Sequence, residues 1–236
     1  MRGIKIIFRK ETSFFLNTLT GYIVVFIFSA LVNFFFVKDL FAVGSFQMSS
    51  FFSIIPWIFV FFIPALTMRL LAEEKKQNTI EVLLSLPLKE SDVVLGKFFS
   101  AVFLVLVGLL LTLPVPAFLA WRAGVYLPEV FSGYLGVVLL AAGFIGVSLY
   151  ISSLTDSYVV SFLSSSLVLL FLLLFQSTLV SGVISEDFLR PLSFILPLSH
   201  YLDFTKGLIE IDSVFYFLSM AGLFLFLTII NLEKRE

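Results

Sequence analysis

Six long apolar runs constrain the fold of this chain more than any other feature. They cover residues 15–37, 50–71, 98–121, 130–154, 158–183 and 213–232, and charged residues stand only near their ends. Each run has the length that an α-helix needs to cross a bilayer. Helices are the expected spans, because backbone groups in lipid must be satisfied internally and the alternating segments of a barrel are absent. The sequence therefore predicts an all-α integral membrane protein with six transmembrane helices, as one domain over 1–236.

Composition agrees with this prediction. Charged residues make up 13% of the chain and hydrophobic residues 60%, whereas soluble domains have about 25% charged residues. A net charge of −1 gives no indication of nucleic acid binding, and the absence of Cys excludes thiolate nucleophiles and Cys-based metal sites. The basic start followed by an apolar run resembles a signal peptide. The run 15–37 is too long for one and no cleavage site follows it, so we interpret it as a retained span.

The distribution of Lys and Arg between the connections predicts the orientation. One side carries eleven of the 15 basic residues: Arg2, Lys5, Arg9, Lys10, Arg69, Lys75, Lys76, Lys89, Lys97, Lys234 and Arg235. The other side carries Lys38, Arg122, Arg190 and Lys206. Since basic residues favour the cytoplasmic side, both termini and the connection between spans two and three are expected there.

Residues 1–20 have the pattern of an amphipathic helix. Its two faces consist of Arg2, Lys5 and Arg9 on one side and Ile4, Ile7, Phe8 and Phe15 on the other. This pattern predicts an interfacial helix whose basic face meets anionic headgroups. The alternative is that the charges only set the topology.

The connection 182–212 on the outer side is too apolar for an ordinary loop. Its apolar pieces are too short to cross the bilayer, so we predict two outer re-entrant helices, near 187–197 and 199–210. Ser199 is the expected N-cap of the second.

A charged segment separates spans two and three. Its charged residues are Arg69, Glu73, Glu74, Lys75, Lys76, Glu81, Lys89, Glu90, Asp92 and Lys97. Asn78 and Glu81 have the spacing of a capping box, Pro87 ends the short helix that follows, and a second helix is expected to begin at Ser91–Asp92. We interpret residues 72–92 as a docking segment for a partner; the alternative is a solvated loop.

Two stretches carry a family resemblance. The segment RLLAEEKKQNTIEVLLSLPLKESDVVLGKF resembles the hallmark segment of ABC-2 type permeases. The tail LPLSHYLDFTKGLIEIDSVFYFLSMAGLFLFLTIINLE resembles that of the gliding-motility-associated and copper-maturation-type branch. The resemblance implies a permease of a bacterial or archaeal cytoplasmic membrane. It also implies pairing with a second copy or a paralogue, two separate ATPase subunits that bind ATP and Mg²⁺, and no cofactor in this chain.

By position, the resemblance also implies which residues contact the ATPase. They are Glu73, Glu74, Lys75, Lys76, Thr79 and Glu81, with Asp156 in the turn 153–157 as a smaller second contact. The chain has no G-x-x-x-x-G-K-[ST] motif, and Gly96-Lys97 lacks the upstream glycine. We therefore expect a non-catalytic subunit that couples ATP hydrolysis on another polypeptide to export or mechanical work.

Two other functions stay open at this point. A secondary transporter needs ionisable residues or broken helices at mid-membrane depth, and the spans carry no charge there. A structural anchor of a motility or secretion apparatus is the other alternative. The only histidine, His200, has Asp203 nearby, but two ligands do not make a metal site, so a packing role is expected.

The fifth span offers polar side chains for a transport pathway. Candidates are Ser161, Ser165, Gln176, Ser177 and Ser181. They can line a lumen between two permeases or serve helix–helix hydrogen bonding. The fourth span, with Gly136 and Gly146, has the small residues typical of close helix packing.

Overall fold

A computed structural model describes residues 2–43, 48–76, 89–123, 126–175 and 196–234. These residues form helices and a few short turns, without a strand among them. The helices are α1 (Arg2–Asn17), α2 (Leu19–Val43), α3 (Met48–Thr67), α4 (Ala72–Lys76), α5 (Glu90–Thr112), α6 (Pro114–Ala123), α7 (Leu127–Leu154), α8 (Tyr158–Leu174), α9 (Pro197–Thr205) and α10 (Ile211–Glu233).

Within the described residues, five stretches are long and apolar enough to cross a membrane, and they correspond to five of the six predicted spans. They are Leu19–Lys38, Met48–Lys76, Glu90–Leu119, Leu127–Leu154 and Ile211–Glu233. The fifth predicted span corresponds to α8, which is apolar over Tyr158–Leu174. The rest of this predicted span, from residue 176 to 183, lies outside the described residues. Whether α8 crosses the membrane, and with it the total of six spans, therefore stays a prediction. The all-α membrane architecture is confirmed.

The third span begins earlier than its apolar run. Helix α5 starts at Glu90, with Asp92 also in its first turn, and continues to Thr112 without a break. The helix expected to begin at Ser91–Asp92 and the span expected from residue 98 are therefore one helix. Carboxylates at its N-terminus interact favourably with the helix dipole. The capping pair Asn78 and Glu81 lies outside the described residues.

Helix α7 is the centre of the bundle. It packs against α3, α5, α8, α9 and α10, most extensively against α10. Gly146 permits this close approach, since a Cβ there would lie 3.2 Å from the backbone Cα of Ala221 on α10. The close packing predicted for the fourth span is thus confirmed, and small residues are its physical cause.

Helix α9 closes the end of the bundle at which α3, α7 and α10 begin. Buried Tyr201 donates a hydrogen bond to the carbonyl of Phe52, at 2.7 Å, and Ser132 donates one to the carbonyl of Phe204, at 2.8 Å. The helix predicted near 199–210 is observed as Pro197–Thr205. The capping prediction for Ser199 is wrong, because the helix begins two residues earlier with Pro at its first position, and the Ser199 hydroxyl bonds back to Leu196 O.

The predicted helix 187–197 falls largely outside the described residues. The re-entrant character of this connection therefore stays a prediction. His200, on α9, stacks on the ring of Tyr216 with centroids 4.3 Å apart, and its Nδ1 lies 3.3 Å from the Ser213 hydroxyl. These contacts join α9 to the start of α10 and agree with the packing role expected for this histidine.

Candidate functional site

Helix α1 lies along the first half of α5. Gly96 provides a notch on α5, because a Cβ there would lie 2.6 Å from the Cβ of Ile7. Phe8 makes an edge contact with Phe103, with ring centroids 5.8 Å apart. The apolar face of the predicted amphipathic helix is therefore occupied in part by protein. The helix itself is confirmed over Arg2–Asn17, and its place at the membrane interface stays a prediction.

Next to this contact, four charged side chains from α1, α4 and α5 lie together: Lys10, Glu11, Glu74 and Lys97. We call them the ion cluster. The Nζ atom of Lys97 lies 2.8 Å from Glu11 Oε1 and 2.8 Å from Glu74 Oε2. Lys10 Nζ lies 2.8 Å from Glu74 Oε1. The Lys97 side chain is 1% exposed, whereas that of Lys10 is 53% exposed. The cluster connects α1, α4 and α5 through one buried ammonium group.

The ion cluster is balanced in charge. It has two ammonium groups and two carboxylates, so each buried charge has an opposite partner. Burial alone would lower the pKa of Lys10, but the hydrogen bond and the charge of Glu74, with a contribution from Glu11, raise the pKa above its ordinary value. Removing the partner of a buried ion strongly destabilises the folded protein. The three helices are therefore held together as a unit.

A second junction forms at the last turn of α7. The buried side chain of Lys75 donates a hydrogen bond to the carbonyl of Ser153, and Asn231 of α10 donates to the same oxygen at 2.8 Å. The backbone amide of Ala72 donates to the hydroxyl of Ser152 at 3.2 Å. Final carbonyls of a helix lack partners within the helix, so this turn of α7 accepts donors from α4 and α10. We call this the α7 junction.

The two junctions divide the predicted ATPase-contact residues into two groups. Glu74 and Lys75 turn inward, to the ion cluster and to the α7 junction. Lys76 is exposed, with its Nζ 4.9 Å from the centroid of the Tyr158 ring. Glu73 is partly exposed and lies 3.8 Å from the Nε of Arg69.

Asp156 lies in the exposed turn between α7 and α8. The contact between Lys76 and Tyr158 brings the end of α4 beside this turn. The two segments that the resemblance assigned to partner contact are thus neighbours on one surface. Thr79 and Glu81 lie outside the described residues.

The pathway candidates on α8 face the interior of the chain. Ser161 and Ser165 are each 1% exposed and lie on the side of α8 that packs against α3 and α7. Their hydroxyls have no hydrogen-bond partner among the residues that the structure describes. The opposite side of α8 exposes apolar residues such as Leu163 and Leu167. Gln176, Ser177 and Ser181 lie outside the described residues, and the pathway role of all five stays a prediction.

Residues 38–232 match the family described as ABC-2 family transporter protein. The chain belongs to the ABC-2 transporter family. None of the curated proteins matches it. The predicted resemblance to ABC-2 permeases is confirmed at the level of the family, and this ABC-2 protein is accordingly a multi-pass membrane component of a transporter.

The matched region divides the ion cluster of this ABC-2 protein. Glu74 and Lys97 lie inside the match, whereas Lys10 and Glu11 precede it. Neither Glu11 nor Lys97 was among the residues predicted for the site. The sequence carries a signal for both, because Glu11 is the only acidic residue before Asp39 and Lys97 directly precedes the apolar run 98–121. A charge in such a position calls for a partner, although the sequence does not say which one.

Proposed function

We propose that this chain is the permease subunit of an ATP-driven ABC-2 exporter. In this proposal the end that holds the ion cluster faces the cytoplasm, and a separate ATPase subunit docks on the surface formed by Glu73, Lys76 and Asp156. One observation carries the proposal. The short helix α4 exposes Lys76 toward the surface, while its neighbours Glu74 and Lys75 are bonded to three other helices, α1, α5 and α7.

This arrangement suits the transmission of a mechanical displacement. Helix α4 follows α3 after a short turn, and it bonds to α1 and α5 through Glu74 and to α7 through Lys75. Separating a buried ion from its partner costs about 3–5 kcal/mol. A push on the exposed side of α4 is therefore expected to move the helix ends together rather than to break these contacts.

The remaining parts of the machine lie on other polypeptides. Two ATPase subunits are proposed to bind ATP and Mg²⁺ and to supply the hydrolysis, while this chain holds no cofactor. A second copy or a paralogue completes the membrane portion. The resemblance of the tail supports the gliding-motility-associated and copper-maturation-type branch. Nothing in the described residues favours a secondary transporter, since the Asp, Glu, Lys, Arg and His residues among them lie outside the central part of each span.

The test is co-purification from the native host. The tagged chain is isolated in mild detergent, and partner proteins are identified by mass spectrometry. Wild-type protein is expected to bring down an ABC ATPase. The double charge reversal Glu73→Lys with Lys76→Glu is expected to lose it while the melting temperature of the permease is retained.

A matched control is the reversal Lys206→Glu at the opposite end of the bundle. Lys206 is 62% exposed and pairs with Asp203 at 3.3 Å, so its reversal changes a comparable surface ion pair. The control is expected to keep the ATPase. The docking surface is refuted if the double variant retains the ATPase at the wild-type level, and the exporter itself is refuted if wild-type protein recovers none.

A further inference from the structure

A cavity of about 620 Å³ opens between α1 and the junction of α3 and α4. Its walls combine two chemistries. Lys10 and Arg69 supply cationic groups beside Glu73, while Phe14 and Leu70 supply apolar surface. A site with both properties fits an amphiphile better than a water-soluble ion or a purely apolar molecule.

The position of the cavity points to the same class of ligand. Arg69 stands two residues after the end of α3, and Phe14 stands five residues before the start of α2. The cavity therefore lies where two spans leave the hydrocarbon core. The polar headgroups of phospholipids occupy this level of a bilayer. Phe14 is 46% exposed, which leaves apolar surface at the mouth for an acyl chain.

The charges on the walls select among headgroups. The walls carry three carboxylates, Glu11, Glu73 and Glu74, and two cations, Lys10 and Arg69. Buried Lys97 adds the third positive charge, 2.8 Å from both Glu11 and Glu74. Arg69 contacts Glu73 through Nε at 3.8 Å, beyond hydrogen-bond distance, and a guanidinium offers five donors in a geometry that suits phosphate. Walls that are neutral in sum, with both signs present, complement a headgroup that is also neutral in sum.

We infer that this cavity binds one zwitterionic, amine-bearing phospholipid from the adjoining leaflet. The phosphate lies at Arg69 and Lys10, the headgroup amine lies toward Glu73, and the start of an acyl chain rests on Phe14 and Leu70. The bound lipid bridges α1 and the end of α3. The inference does not depend on which side of the membrane this end faces or on ATPase docking.

The test measures lipid retention by native mass spectrometry. Delipidated full-length protein is titrated with phosphatidylethanolamine, with phosphatidylglycerol, and with inorganic phosphate as the headgroup chemistry without the lipid. One tightly held phosphatidylethanolamine is expected, retained at lower concentration than phosphatidylglycerol. Arg69→Gln is expected to weaken it by about tenfold or more, since hydrogen bonds to charged groups are among the strong ones.

Two further variants separate binding from folding. Arg9→Gln removes an exposed charge from α1 at a position outside the cavity and is expected to leave lipid retention unchanged. Phe14→Ala, at an exposed position, is expected to weaken retention without lowering the melting temperature. The inference is overturned if Arg9→Gln and Arg69→Gln act alike, if phosphatidylglycerol is preferred, or if inorganic phosphate displaces the lipid at millimolar concentration.

Discussion

The substitution Lys97→Met tests the ion cluster most directly. Methionine has a similar length and no charge, so the change removes the ammonium group and leaves little empty volume. Of the contacts within the ion cluster, those made by Lys10 then remain, and its Nζ is 3.7 Å from Glu11 and 2.8 Å from Glu74. Removing one partner of a buried ion pair costs about 3–5 kcal/mol. This cost in free energy is larger than the contribution of one ordinary hydrogen bond between two helices.

The lost free energy is expected to weaken the attachment of α1 to α4 and α5. Each 1.36 kcal/mol changes an equilibrium constant tenfold, so the constant for detachment of α1 is expected to rise by roughly 2.2 to 3.7 powers of ten. Hydrogen–deuterium exchange of peptides from α1, with the protein in nanodiscs, measures this detachment directly. The melting temperature of the whole protein is expected to fall as well. Peptides from α9, at the far end, are expected to exchange as in the wild type.

Two additional variants make the result specific. Lys5→Met removes an exposed lysine from α1 and is expected to leave exchange unchanged. Glu11→Gln added to Lys97→Met removes the carboxylate that has lost its partner, and part of the protection is expected to return. If Lys97→Met protects α1 as well as Lys5→Met does, the ion cluster does not hold α1 and the reasoning fails.

Three smaller changes test the packing. Gly96→Ala is expected to loosen α1 by about 1–3 kcal/mol through overpacking against Ile7, seen as faster exchange in α1. Gly222→Ala is its matched control, because nothing lies within 4 Å of the added Cβ; the higher helix propensity of alanine should stabilise α10 by about 0.5–1 kcal/mol, and a loss of stability would contradict the packing described here. Tyr201→Phe removes the 2.7 Å hydrogen bond to Phe52 O and leaves that carbonyl buried without its side-chain donor. The expected cost is about 1–3 kcal/mol, visible as a lower melting temperature, and an unchanged melting temperature would show that the bond contributes nothing.

The spans could be predicted from the sequence because the bilayer imposes a single local rule. A run of about 20 apolar residues without charge has to be helical, since its backbone groups find no other partners in lipid. The same rule does not apply at helix ends. The start of α9 was misplaced because Pro197 competes with Ser199 for the first turn, and the start of α5 lay within charged residues that hydropathy excludes.

The amphipathic pattern of α1 shows a different kind of ambiguity. An apolar face predicts that a helix is half buried, but lipid and protein cover such a face equally well. The notch at Gly96 decides in favour of protein for Ile7. Likewise, the resemblance assigned all four residues Glu73–Lys76 to contact with a partner, while only tertiary packing turns Glu74 and Lys75 inward.

What the sequence by itself determined is therefore the class of protein: a helical membrane transporter component with a charged segment between its second and third spans. These properties depend on local hydropathy and on motifs of neighbouring residues. The tertiary structure decided the connections of that segment. Lys97 and Glu11 are 86 positions apart, and Lys75 and Ser153 are 78 apart. Contacts over such separations depend on how the helices pack, because burial of one charge is stable only where the fold brings its partner within reach.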